Sequence, residues 1–420
     1  MSNMEIRPVQ SRAELEEVYN LLETCFPISK SYFQSRLDHY TAYRSDTTWV
    51  AVVDGVIAST VQIFPYICRV EDVTLKVAGI GSVATKPEYR GQGLGLQILQ
   101  KLTEWMAQEG YDLSLLFASI HPFYEKLGWT IVPETEYRLP AEQFYSRISL
   151  ASPDSDTAAH SPYWVKPLEL SGDLKQVAAI YEQTNQKRTL SRVRDSVYWQ
   201  DVRQSAEWLE GTWSAALLDG AIAAYGRLGR RNPWDNEAIA LEELCYLPGH
   251  ESAILPILSH LAAQHPDIKT WKFRLPPDHA LLPLLKEWDA EQTASDLMMW
   301  KMIRLTETLQ IMKPVLERRL REESVGSFRL ALRCAEQSAL LIYEEEHLAI
   351  VANYDSGKAA TLEFQQPGLV TMLLHGYNSD ITVDYCPGEQ LEPEVHPPVN
   401  ELLQIMFPFQ NSVFYLTDKF

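Results

Sequence analysis

Apolar positions recur at helical spacing from Ser11 to Cys25, which predicts an amphipathic helix. The pattern then shifts to strands. "TWVAVVD" turns at Asp54-Gly55 into "VIASTVQIFPYICRV", the two-residue turn of a type I′ hairpin. "LKVAGIGSVAT" reads as the next strand. Leu94, Ile98, Leu99, Leu102, Trp105 and Met106 then recur on one helical face. "LSLLFAS" is a short buried strand, and "HPFYEKLGW" follows it.

Residues 151–162, "ASPDSDTAAHSP", are small, polar and aperiodic, so a linker is expected there. Beyond it the pattern repeats. "AVVDGVIA" at 51–58 has a partner in "ALLDGAIA" at 216–223, with the same Asp-Gly turn. A strand, a helix and a strand follow in both halves, the second set being "ALEELCYLP", "ESAILPILSHLAAQ" and "KTWKFRLP". From about residue 304 the texture changes to a helix, "TETLQIMKPVLERRLREE", and then to apolar–polar alternation at a period of two. Phe328, Leu330, Leu332 and Cys334 fall on one face of that strand pattern. The expected fold class is therefore α/β and α+β: two mixed α/β domains over 1–150 and 151–303, and an α+β domain over 304–420.

Composition narrows the setting. The chain has 420 residues, enough for more than one core, and its 46% hydrophobic content suits a globular protein. No apolar run approaches the roughly 20 residues that span a bilayer, and the first residues lack the apolar core of a signal peptide. Five scattered cysteines without a CxxC pair argue against a zinc site or a disulfide scaffold and suit a cytoplasmic setting. No metal is expected. A net charge of -19 disfavours nucleic acid and anionic membranes as partners and favours cationic ligands. "EEEH" at 344–347 reads as a solvated hairpin turn, and the basic run "KRTLSRVRD" at 187–195 as a packing or subunit-contact element.

The chemistry concentrates at "SVATKPEYRGQGLGLQILQKL". A strand runs into Arg90-Gly91-Gln92-Gly93-Leu94-Gly95, and a helix starts there. Glycines let successive backbone N–H groups converge, the helix start adds unpaired donors and its positive dipole end, and Arg90 adds a full charge. Together they make a pyrophosphate cradle. A P-loop would need Gly-Lys-Ser/Thr, which is absent, and the dinucleotide fingerprint would need GxGxxG, whereas the glycines here alternate. Asp112 precedes its strand instead of ending it, where a ribose contact would lie. The pattern R-x-x-G-x-G matches at Arg90, Gly93 and Gly95; a glycine turn made only for close packing is the plainer alternative.

R-x-x-G-x-G between "GIGSVAT" and an amphipathic helix resembles the acyl-CoA-binding motif of the GNAT acyltransferase superfamily, and "LLFASIHPFYEKLGWTIVP" resembles its closing segment. With the duplicated second domain, which has "PGHES" in place of the cradle, the chain resembles the enhanced-intracellular-survival (Eis-like) acetyltransferases. The resemblance implies tandem GNAT domains, the second without a cofactor loop, and a sterol-carrier-like third domain. It implies acetyl-CoA as co-substrate and a primary amine as acceptor, with the acidic balance favouring polyamines, aminoglycosides or lysine side chains. It also implies a homo-oligomer, a hexamer in the family.

By the same resemblance, Val83 and Thr85 pair with the pantetheine arm, Ser119 contacts that arm, and residues 90–95 hold the pyrophosphate. Tyr124 becomes the general acid, and the carboxylate of Phe420 the base, with His121 in reserve. Lys419 departs from a simple picture, since a cation beside the base would oppose a cationic amine. A rival reading from another class is a lipid or hydrophobic-ligand binding protein acting through the C-terminal domain.

Overall fold

The computed structural model describes residues 3–38, 40–41, 43–150, 161–231, 235–352, 359–386 and 397–419. The first sheet is built by β1 (Met4–Pro8), β2 (Thr48–Val53), β3 (Val56–Val70), β4 (Val73–Thr85), β5 (Leu113–Phe117) and β6 (Thr130–Ile131). The second holds β7 (Glu134–Pro140), β8 (Trp164–Pro167), β9 (Thr212–Leu218), β10 (Ala221–Leu228), β11 (Ala238–Tyr246), β12 (Thr270–Phe273) and β13 (Glu291–Ser295). β14 (Met298–Met302) returns to the first sheet. The third is β15 (Phe328–Cys334), β16 (Gln337–Glu344), β17 (His347–Val351), β18 (Ala360–Phe364) and β19 (Val383–Cys386), in the order β17-β16-β15-β18-β19.

The first two sheets have the same plan. Their orders are β1-β2-β3-β4-β5-β14-β6 and β8-β9-β10-β11-β12-β7-β13. In each, the fourth and fifth strands are the parallel pair, β4 with β5 and β11 with β12, and every other neighbouring strand is antiparallel where the pairing is described. The duplication read from the Asp-Gly turns thus extends to topology. Both turns have the positive φ that type I′ geometry demands: 50° and 81° at Asp54 and Gly55, and 50° and 82° at Asp219 and Gly220.

The sixth place in each sheet is filled from the other half. β7 lies before residue 150 but belongs to the second sheet, and β14 follows the whole second repeat yet pairs with β5 and β6. The sheets therefore do not follow the boundaries at 150 and 303 read from the sequence. Of the expected linker, residues 151–160 lie outside the described residues.

β3 is 15 residues long and buried along nearly its whole length, because both of its faces are covered. On one face lie α1 (Arg12–Cys25) and α2 (Lys30–Asp38). Ser11 caps α1 by accepting the Glu14 N–H at 3.2 Å, and Leu15, Val18 and Leu22 turn inward. The core under them runs on through Met298 and Leu309 to Leu332 and Leu341, so the first and third units share one hydrophobic interior. The other face packs on α3 (Leu94–Gln108) through Ile98, Leu99, Leu102 and Met106. Glu345 and Glu346 have positive φ in the β16–β17 turn, as expected of "EEEH". Phe328, Leu330, Leu332 and Cys334 are all buried on the shared core. No described helix is long and apolar enough to cross a membrane.

Candidate active site

The glycine turn adopts the conformation its residues permit. Gly91 and Gly93 have φ of 80° and 72°, and Gly93 is the left-handed cap of α3. A Cβ on Gly91 would meet nothing within 4 Å, so conformation, not space, calls for glycine there. Gly95 differs: it is buried, and a Cβ would sit 3.4 Å from Phe123 Cζ and 3.9 Å from Thr85 Oγ1. The first intrahelical bond is Gln97 N–H to Gly93 O at 3.0 Å, which leaves the Leu94, Gly95 and Leu96 N–H groups at an open helix start. Arg90 is exposed and donates from Nε to Thr85 O at 3.2 Å. Gln92 is exposed as well, and its carbonyl meets Gln97 Nε2 at 3.5 Å. These donors and the lone cation fit a diphosphate.

Just above the cradle the sheet parts. Pairing between β4 and β5 ends at Ile80↔Leu116, and from Gly81 to Thr85 β4 is paired on its β3 side alone. A register shift opposite Thr60 and Gln62, with Ser82 at φ 52°, bends this end of β4 away from β5. Val83 and Thr85 are half-buried there, and the Thr85 and Ser59 hydroxyls are 2.8 Å apart. A parting beyond the carboxyl ends of parallel strands is where open α/β sheets take ligands.

α4 (His121–Glu125) starts after the tip of β5 with Pro122 in its first turn. Its Tyr124 packs partly into the α3-side core, with Phe123 edge-on at 4.9 Å. Burial pushes the Tyr124 phenol up to about 12, so it stays protonated at neutral pH. Phe123 and Thr85 both stand within 4 Å of the place a Gly95 Cβ would take, which brings α4, the cradle and the β4 end together around Gly95. Ser119 is exposed between β5 and α4. His121 donates from Nε2 to Ala118 O at 3.1 Å, so its proton sits on Nε2 and Nδ1 is the nitrogen left to accept one.

On the opposite face of the sheet, under α2, lies a cavity of about 80 Å³ bordered by Arg36, Phe64, Tyr66, Arg192, Asp418 and Lys419. Phe64 pairs with Gly79, one residue before β4 leaves β5, so the cavity adjoins the parting. The last described residues close it. Phe414 packs between Tyr66 and Phe117, at 5.7 and 6.0 Å between ring centroids. Tyr66 donates to Asp418 O at 2.8 Å, and the Lys419 ammonium sits 5.3 Å over the Phe117 ring. Lys419 thus borders the cavity. Phe420 lies outside the described residues.

Sequence reasoning missed what holds this segment. The Asp418 side chain is 1% exposed and accepts from Arg194 at 2.7 Å and from Tyr198 at 2.5 Å. Arg194 also donates to Glu243 at 2.7 and 2.9 Å, so one fully buried guanidinium serves two carboxylates. Asp418 is tied to that contact, yet its charge still acts on Arg192 and Tyr66 in the cavity wall. The basic run 187–195 was the available signal. It proves to be a packing element: Arg188 pairs with Asp278, Arg194 with the carboxylates, and residues 190–193 add hydrogen bonds along the outer edge of β3. Asp112, set aside as a ribose ligand, is buried and accepts from Lys76 N–H and Arg304.

In the second sheet the corresponding parting is filled. β11 leaves β12 after Leu241↔Phe273, and His279 Nε2 then meets Leu244 O at 3.1 Å. Tyr415 lies against Cys245 and donates to Asn185 at 3.1 Å. No glycine cradle precedes the helix Ile254–Ala263.

Residues 5–132 match the family model described as acetyltransferase (GNAT) domain. The first domain is a GNAT acetyltransferase domain. N-acetyltransferase Eis of Mycobacterium tuberculosis is 28% identical over 131 residues, 31% of this chain and 32% of the relative, and the Mycobacterium bovis protein matches equally. The match thus spans about a third of the length of these curated relatives. Two solved structures share the wider fold. Eis1 from Mycobacterium abscessus covers 100% of both chains at 14% identity with a TM-score of 0.64. A conserved protein of unknown function from Enterococcus faecalis covers 90% of this chain and 91% of its own at 16% identity, with a TM-score of 0.67. The GNAT domain therefore sits in a three-sheet frame of Eis-like fold, and the cradle, the parting and Tyr124 all fall inside the matched residues.

Proposed function

We propose that the protein is an acetyl-CoA-dependent N-acetyltransferase of Eis type acting on primary amines. The observation that carries this reading is the parting of β4 from β5, with the cradle and Tyr124 on its α3 face and a cavity on its α2 face. A diphosphate-bearing ligand held at 90–95 would reach the second face only through that gap. Val83 and Thr85 offer the β4 edge to its arm, and Ser119 stands at the far side.

Acetyl-CoA supplies the acetyl group as a thioester. Transfer makes a carbon–nitrogen bond and breaks a carbon–sulfur bond; starting from an ammonium, nitrogen gives up two protons, one through the base to solvent and one that balances the proton arriving at sulfur. Tyr124 keeps its proton at working pH, which suits it to protonate the leaving sulfur before solvent restores it. The proton acceptor in this reading is a carboxylate at Phe420; the support is that Asp418 and Lys419 already border the cavity. A primary ammonium near its ordinary pKa of about 10.4 needs such a base to become nucleophilic.

The test is thiol release from acetyl-CoA against spermidine, an aminoglycoside, a lysine peptide and neutral amines. Amine-dependent release supports the transferase. Tight acetyl-CoA binding with no release for any amine would refute it and leave a ligand-binding role. Multi-cationic acceptors are the finer part of this reading, and the net charge of -19 is what supports them.

A further inference from the structure

The turn that follows Tyr124 is held by side chains from outside the GNAT domain. Leu127 N–H and Trp129 N–H both donate to Tyr124 O, at 3.0 and 3.3 Å, and so close the turn on the end of α4. The carbonyls of that turn are taken up by distant segments. Lys301 of β14 donates to Leu127 O at 2.5 Å, and Gln366, at the start of the helix Gln366–His375, donates from Nε2 to Gly128 O. The two side chains meet at one residue: a Cβ on Gly128 would lie 3.5 Å from Gln366 Nε2 and 3.7 Å from Lys301 Cε. Both donors lie beyond the residues 5–132 of the family match.

A lysine is a costly residue for this place. Its ammonium is largely buried, and burial alone lowers it to about 8; among the described residues no charged side chain acts on it. An apolar side chain of similar length would fill the slot without burying a charge. What the ammonium gains is a set of neutral partners. Besides Leu127 O it donates to Thr103 Oγ1 of α3 at 3.4 Å, and it lies 4.7 Å over the Trp129 ring. Each partner is itself fixed: the Thr103 hydroxyl donates to Leu99 O at 2.9 Å, and Trp129 Nε1 to Ser114 Oγ at 3.1 Å. The lysine thus links the end of α4 to α3 and to the first sheet.

We infer that Lys301 is a positioning residue for Tyr124: by binding the Leu127 carbonyl and the Thr103 hydroxyl together it fixes α4 against α3, and with it the place of the phenol. This rests on the transferase reading and deepens its acid step. α4 is five residues long, too short to hold its own geometry. At its start Phe123 stands beside Gly95 of the cradle, and at its end Lys301 supplies the second point of attachment. Proton transfer to sulfur needs the phenol within hydrogen-bond reach, and a misplacement of about 1 Å costs up to about a hundredfold in rate. The return of β14 to the first sheet therefore does more than complete a row of strands. It brings the residue that mounts the proton donor.

The test is a double-mutant cycle between Lys301 and Tyr124. Lys301→Met keeps the length of the side chain and deletes the ammonium. It should lower kcat about tenfold while acetyl-CoA affinity by calorimetry stays within about twofold. In a Tyr124→Phe background the same change should cost less than about twofold, because no phenol is left to misplace. Equal losses in the two backgrounds would overturn the inference, since a general loss of structure slows both. Lys301→Arg, which keeps a charged donor, should recover part of the loss. Gln366→Leu removes the other hold on the same turn from a half-buried site. It should lower kcat by a smaller factor with the same dependence on Tyr124, and it carries the cycle if Lys301→Met does not fold. Hydrogen exchange is independent of turnover. The Leu127 and Trp129 amides should exchange faster in Lys301→Met, with the amides of α3 unchanged. If the wild-type protein acetylates no amine and these two amides still respond, the transferase reading fails and the hold on α4 stands; unchanged exchange at both sinks the hold.

Discussion

Replacing Arg194 by methionine should destabilise the protein more than replacing Asp418 by asparagine, although both break the same contact. The reason is arithmetic within the cluster. Arg194, Glu243 and Asp418 have side chains 0%, 0% and 1% exposed, and one cation faces two anions. Arg194→Met orphans both carboxylates, and an uncompensated buried charge costs about 3–5 kcal/mol. Asp418→Asn removes one anion and leaves the Arg194–Glu243 pair at 2.7 and 2.9 Å intact. Its cost is the loss of charge-assisted bonds from Arg194 and Tyr198, about 1–3 kcal/mol. The double variant should cost at least about 1 kcal/mol less than the sum, because the anion stranded by the first change is deleted by the second. Urea unfolding followed by tryptophan emission is a suitable assay: the Trp199 and Trp208 rings lie 5.2 and 5.3 Å from the Arg194 guanidinium. Midpoints are compared because a multidomain chain need not unfold in one step. Equal or reversed costs, or strict additivity, would refute the account. Asp418→Asn should in addition lower turnover in the folded enzyme, since Asp418 moors the segment that closes the cavity.

Tyr124→Phe should leave acetyl-CoA affinity within about twofold and lower kcat by about a hundredfold or more if the phenol protonates the leaving sulfur; unchanged kcat in steady-state assays removes Tyr124 from the mechanism. Gly93→Ala forces an L-residue to φ 72°, which costs about 1–2 kcal/mol and displaces the donors of the α3 start. Acetyl-CoA affinity by calorimetry should fall about tenfold, and wild-type affinity in a folded variant would count against the cradle. His279 is buried and neutral, with burial lowering it from 6.5 to about 4, so the unfolded chain takes up its proton first as pH falls. Its contribution is complete above about pH 6.5 and is lost on the way down to pH 4, on the order of 3 kcal/mol. His279→Gln should flatten that part of the stability–pH curve; an unaltered slope would assign the acid lability elsewhere.

What the sequence made legible is what its residues decide locally. The cradle is such a case, because positive φ at Gly91 and Gly93 and the helix start after them are properties of neighbouring residues. The Asp-Gly turns are another. The exchange of β7 and β14 is not, since "ETEYRLP" and "MMWKM" are short strand patterns that do not name a sheet, and their partners lie at least 130 and 168 residues away in sequence. The cavity was hidden for the same reason. Arg192 reaches Tyr66 only because a loop of the second repeat pairs with β3. Net charge says nothing local about that space: it sums the whole chain, whereas Arg36, Arg192, Lys419, Asp201 and Asp418 are the charges that line it.

The two partings show why one copy of a duplicated sheet can keep a ligand and the other cannot. A parted pair of parallel strands exposes backbone groups that must be met by something. In the first copy β4 presents that edge beside an open glycine turn, and a cofactor arm can meet it. In the second copy the chain meets its own need: His279 donates to Leu244 O, and Tyr415 fills the space at Cys245. His279 must carry its proton on Nε2 to do so, because Nδ1 accepts the Leu281 N–H at 3.0 Å; burial keeps the ring neutral and the assignment fixed. The filled cleft also anchors the C-terminal segment, through Tyr415 and the Arg194–Asp418 contact, at the place from which residues 416–419 cross to the first sheet. The second repeat thus serves the first as a mooring for the strand of chain that closes the cavity. Opening that cleft by His279→Gly together with Tyr415→Ala should therefore loosen the C-terminal segment, with faster hydrogen exchange at 413–419, and should not create a second acetyl-CoA site. A second site in calorimetry would mean that the plug, and not the missing cradle, had kept the cofactor out.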